Sequence, residues 1–102
     1  MYGTIMRARV KADAREAFER TMAEWEERRG SPDGYHSSEI AWEEADPNRV
    51  VLVVHFRDKE SYVANAQSPD QDAEYQEMVK LLEGPPEWID VNYGSYSGKP
   101  LP

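Results

Sequence analysis

The aliphatic run Val50–Val54 ends at His55, one of only two histidines in the chain. Histidine takes up a proton near neutral pH, which makes His55 the first candidate for a general base. Polar residues also break apolar patterning at Tyr62, Asn65, Tyr75 and Asn92. Each can donate a hydrogen bond to a developing oxyanion. Trp25 and Trp42 supply flat walls for an aromatic ligand. Together these residues describe a site that removes a proton from a small organic molecule and holds the anion. Every one of them also has a structural role open to it. His55 fits a seam between subunits, Trp25 a helix stripe, Trp42 a core or seam position, Tyr75 packing, and Asn65 a cap at a helix break.

Other chemistries lack their residues. The chain has no cysteine, so disulfides and thiolate metal sites are out. His36 and Glu39 stand three apart, a spacing that points them to opposite faces of a strand. The "DPN" and "SPDQD" stretches lack the loop spacing and glycine of an EF-hand. No phosphate loop, dinucleotide fingerprint or serine elbow is present.

The elements that must position the candidates are readable in order. Tyr2–Lys11 alternates as a strand. Asp13 with Glu16 reads as an Asp variant of the capping box, opening a helix with the stripe Ala14, Ala17, Phe18, Thr21, Met22 and Trp25. Arg28 and Arg29 suit its last turn and Gly30 its stop. Tyr35–Glu44 follows as a strand with His36, Ser38, Ile40 and Trp42 sharing a face. Val50–Phe56 is the next strand, and a helical region broken near Ser68 comes after it. There Ser68, Pro69 and Gln71 open a helix with the stripe Tyr75, Met78, Val79 and Leu82. Trp88–Tyr96 is the last strand. The order β-α-β-β-α-β predicts an α+β, ferredoxin-like sandwich: a four-stranded antiparallel sheet with both helices on one face. Residues 1–96 form the domain and 97–102 a flexible or partner-docked tail.

In the strand Val50–Phe56, Val50, Leu52, Val54 and Phe56 share one face, and Val51, Val53 and His55 the other. Parity alone does not say which set meets the helices. Whichever does not would be a bare apolar face, which self-pairing about a two-fold axis covers. A homodimer through the helix-free face is therefore expected. With 102 residues the chain fits one domain. Its 12 Lys and Arg against 20 Asp and Glu, a net charge of −8, repel phosphate backbones and anionic membranes, so neither nucleic acid nor membrane is an expected partner. No leader or membrane span is read at the start, and a cytoplasmic location is the expectation.

The pieces "VKADAREAFE", "VVLVVHFRDKESYVANAQSPD" and "WIDVNY" resemble the antibiotic-biosynthesis-monooxygenase-like family over the chain up to Tyr93. The resemblance implies a dimeric α+β barrel. Its members include oxygenases that oxidise phenolic or quinol-like substrates without metal or flavin, and haem-degrading enzymes. The haem-degrading branch uses an Asn, a Trp and a His where this chain carries Met6, Asn65 and Tyr75. None matches, and a tyrosine is a poorer neutral iron ligand than histidine, so haem is judged against. The expected function is a cofactor-independent monooxygenase acting on a small phenolic, quinol or polyketide-like molecule. Its catalytic residues would be His55, Asn65 and Tyr75, with Trp25, Trp42, Tyr62 and Asn92 binding the substrate. The alternative is a non-catalytic dimer that binds a small ligand or serves a regulatory or stress role. A cavity of roughly 300 Å3 or more between helices and sheet, with His or Asn in its wall, favours the enzyme. A filled interior favours the alternative.

Overall fold

A computed structural model describes residues 1–30 and 32–94 of the chain. The first strand, β1 (Tyr2–Arg9), alternates as its sequence does: Thr4, Met6 and Ala8 are buried, while Ile5, Arg7 and Arg9 are half-exposed. Three strands join it: β2 (Tyr35–Trp42), β3 (Arg49–Phe56) and β4 (Glu87–Asn92). They make one antiparallel sheet in the order β2-β3-β1-β4, so the aliphatic run of β3 lies in the interior of the sheet. Three helices complete the fold: α1 (Arg15–Arg29), α2 (Lys59–Ala66) and α3 (Pro69–Val79). This is the expected ferredoxin-like α+β architecture, its second helical region in two pieces.

Strand register settles the two faces. Met6 stands opposite Leu52 and Trp88, and Thr4 opposite Val54 and Asp90. Met6, Ala8 and Val50 pack with Phe18 of α1 and Met78 of α3 in the buried core, so this is the face the helices cover. Gly3, Ile5 and Arg7 stand opposite His55, Val53 and Val51, on the uncovered face.

Local chemistry explains most boundaries, and corrects one. Asp13 takes a left-handed backbone (φ 64°) inside a turn closed by Ala14 N–H donating to the Lys11 carbonyl at 3.0 Å. Its side chain is therefore not placed as a cap. α1 starts from Ala14 with no side-chain capping bond. It stops at Gly30 as expected, whose φ of 68° together with ψ of −155° suits only a residue without Cβ. Asp58 caps α2, accepting from Ser61 N–H at 2.9 Å. Ser68 caps α3, accepting from Gln71 N–H at 3.1 Å with Pro69 in the first turn.

A bulge in β2 corrects a second expectation. Tyr35 pairs with Phe56 and Ser37 with His55, so His36 is an extra residue in the ladder. Ser38, Ile40 and Trp42 keep the covered face, but His36 leaves it and its ring lies 6.3 Å from that of His55. The same bulge brings His36 and Glu39 to one face, against the parity argument.

Packing is uneven along the helix–sheet layer. At one end Met6, Ala8, Val10, Phe18, Val50, Met78 and Leu82 form a buried cluster. Trp42 seals it edge-on against Phe18 at 5.8 Å, with Arg15 4.6 Å over its ring. β4 ends at Asn92, and the rest of the expected last strand and the 97–102 tail lie outside the described residues.

Candidate functional site

At the other end the layer is hollow. A cavity of about 650 Å3 lies between the sheet and the three helices. Its floor is Thr4, Ile40, Leu52, Val54 and Phe56 from the covered face of the sheet. Met22 and Trp25 of α1, Tyr62 and Asn65 of α2, and Glu74, Tyr75 and Met78 of α3 form its walls, with Trp88 of β4. The space exists because the chain places small residues there: Ala23, Gly30, Ser38 and Ala66 also line it. Where the packed end has Phe18 reaching the sheet, these leave volume unfilled.

The rim is held by polar contacts. The Trp25 indole N–H donates to Glu77 Oε2 at 2.8 Å, tying α1 to α3, and Arg28 approaches the same oxygen at 3.9 Å. Tyr35 Oη and Ser38 Oγ share a hydrogen bond of 2.7 Å. Asn65 Nδ2 lies 3.4 Å from Gln71 Oε1, bridging the break between α2 and α3. That break lets Asn65 and Glu74, from different helices, face one space.

Of the residues expected from sequence, Trp25, Tyr62, Asn65 and Tyr75 meet at the cavity. Three do not. His55 lies on the opposite face of the sheet, because its register partner Gly3 and its neighbours Val53 and Ile5 are there. Its ring stacks on Tyr93 at 4.1 Å, so within one protomer it does not reach a ligand in the cavity. Trp42 belongs to the packed end, with its indole N–H on Glu19 Oε1 at 2.8 Å. Asn92 is exposed at the end of β4, opposite Tyr2.

Tyr62 is in the cavity with its proton already committed. Its hydroxyl donates to Asp90 Oδ1 at 2.9 Å, and burial, with Asp90 beside it, pushes its pKa up to about 12. It offers a ring face and lone pairs rather than a proton. Tyr75 contributes a ring, 6.3 Å from Trp88.

Glu74, a carboxylate only 5% exposed in the cavity wall, is not among the residues expected from sequence. A signal for it existed. Counting back four from Met78 along the α3 stripe lands on Glu74, and three further on Gln71, so two polar residues interrupt an apolar face. Among the described residues no group of three or more His, Asp or Glu is placed to hold a metal ion. No described helix is long and apolar enough to cross a membrane.

Solved structures share this architecture. A protein of Nitrosomonas europaea named for an antibiotic biosynthesis monooxygenase is 24% identical, covering 94% of this chain and 100% of its own, with a TM-score of 0.76. A protein of Mycobacterium tuberculosis is 18% identical with a TM-score of 0.77, covering 95% of this chain and 98% of its own. A mutant of SnoaB, a cofactor-independent oxygenase of Streptomyces nogalater, is 15% identical with a TM-score of 0.79, covering 93% and 94%. At these identities the likeness establishes the fold. Among curated proteins none matches. The family model described as antibiotic biosynthesis monooxygenase matches residues 1–80, most of the chain. The chain belongs to the antibiotic biosynthesis monooxygenase family.

Proposed function

We propose that the protein is a cofactor-independent monooxygenase that oxidises a small phenolic, quinol or polyketide-like molecule in the cavity between its helices and sheet. The observation that carries this reading is the cavity itself. Its volume of about 650 Å3 suits a fused aromatic ligand, aromatic rings wall it, and an amide and a buried carboxylate share its lining. The family and the SnoaB likeness support the reaction class.

The chemistry asks for a base, an anion partner and a dry space. Glu74 is the base in this reading, since His55 is on the other face. Transfer of a proton from a neutral substrate to Glu74 moves a negative charge without creating a second one. The Asn65 amide then donates to the substrate oxygen that receives the charge. The activated substrate supplies the electrons itself: a CH2 group becomes a carbonyl, one oxygen atom of O2 entering it and the other leaving as water. No separate reductant is needed.

The uncovered sheet face completes the proposal. It carries Ile5, Val51, Val53 and Val91 half-buried and Ile89 45% exposed, beside His55. A second copy of the chain, sheet against sheet, would cover it. A dimer in sedimentation that becomes a monomer on Val53→Lys supports this arrangement; a wild-type monomer at micromolar concentration rejects it.

Oxygen uptake with a panel of anthrones, whose ring CH2 becomes the carbonyl, tests the reaction. Expected is turnover with one labelled atom from oxygen gas in the product, and a loss of about 10²–10³ in kcat for Asn65→Ala. Ligand binding without oxygen uptake on any of the panel would favour the non-catalytic alternative.

A further inference from the structure

The Tyr62 end of the cavity is short of protons. Thr4 Oγ1 donates to the Ile89 carbonyl at 3.1 Å, and Tyr62 Oη donates to Asp90 Oδ1 at 2.9 Å. Thr4 and Asp90 are register partners on β1 and β4, so both stand on the covered face of the sheet. The Thr4 hydroxyl also lies within hydrogen-bonding reach of the Tyr62 oxygen. Each hydroxyl has one proton to give. However those two are shared among Ile89, Asp90 and each other, none is left for a molecule in the cavity. Thr4 is 2% exposed, and Tyr62 packs edge-on to Tyr2 at 5.3 Å and to Phe56 at 5.6 Å. Turning either proton toward a ligand would give up a bond already made. The pKa of Tyr62, raised to about 12 by burial and then by Asp90, keeps this arrangement through the ordinary pH range.

We infer that Thr4 and Tyr62, locked by Asp90, select a ligand that brings its own hydrogen-bond donor to this end of the cavity. This rests on the cavity being the substrate site, as proposed above, and it narrows the substrate class. The molecule carries a hydroxyl or N–H group besides the oxygen that Asn65 holds. A ring system with an ether at that position is turned away, because its oxygen meets two oxygens with no proton between them. Asp90 is a positioning residue: it is not part of the cavity lining and acts through the proton it takes from Tyr62.

Naphthylmethanol and its methyl ether test this, since they share the ring system and the oxygen and differ in the proton. Isothermal titration of the intact chain should show the alcohol binding about three- to tenfold more tightly than the ether. Tyr62→Phe keeps the ring and its aromatic contacts and should close the gap by weakening the alcohol. Asp90→Val puts a strand-forming residue at an exposed position and frees the Tyr62 proton, so it should close the gap by strengthening the ether. Glu87→Gln, exposed on the same strand but opposite Arg7 on the uncovered face, should leave both ligands within about twofold. Alcohol and ether binding alike in the unaltered chain, weakening together in Asp90→Val, or converging in Glu87→Gln overturns the inference and leaves the cavity reading standing. Binding of neither ligand removes the cavity reading and the inference with it.

Discussion

The two ends of the layer between helices and sheet are built from the same elements and differ in what those elements carry. At the packed end α1 contributes Phe18, fully buried, against Met6 and Val50. About a turn and a half further along, the same helix contributes Ala23, and the sheet answers with Thr4 and Ser38. The first end is close-packed and stabilises the fold; the second gives up part of that burial to enclose space. Close packing and open volume are thus separated along one helix, by residue volume more than by residue polarity.

Substitutions at each end should separate in the same way. Phe18→Ala empties the packed end and should cost about 3–5 kcal/mol, read as a shift in denaturant midpoint. Gly3→Ala strikes the register that divides the two faces. A Cβ there would lie 1.8 Å from the Val54 carbonyl oxygen and 3.2 Å from the Tyr93 ring that stacks on His55. About 1–3 kcal/mol is expected, also from denaturant melts, and an unchanged midpoint would mean β1 and β3 can separate freely at that point. Ala66→Phe fills the hollow end instead. Its expected stability change is under about 1 kcal/mol, yet naphthylmethanol binding should be lost; retained binding would place the ligand elsewhere.

The smallest effect concerns pH. Burial, and then the neighbouring His36, hold the His55 imidazole below its ordinary 6.5. The folded value lies below the unfolded one, so the unfolded chain binds the proton more readily. The contribution to stability is whole above pH 6.5 and declines as pH falls through the folded value. Thermal melts should show a slope below pH 6.5 that His55→Phe flattens, whereas ligand binding at the hollow end should not follow it.

Much of this was legible in the residues. The alternation of β1, the Ser68–Pro69 restart of the helix and the Gly30 stop each have a local cause, and each appears where that cause is. The face of His55 was not legible, because both sets of the Val50–Phe56 strand are apolar and only the pairing with Gly3 decides between them. The face of His36 was hidden as well, because one inserted residue reverses strand parity and nothing nearby in the sequence marks the insertion. The hollow was invisible for another reason: Ala23, Ser38 and Ala66 lie far apart in the chain and become a void only when three elements meet. Glu74 was readable as a polar break in a stripe, a cue that apolar spacing draws the eye past.

The bond from the Trp25 indole to Glu77 ties the open ends of two helices together. It is exposed to solvent, and trading it for water costs about 1 kcal/mol or less. What holds α1 to α3 firmly is the far end, where Phe18 and Met78 share the buried core, so the helix pair is anchored at one end and only lightly tied at the other.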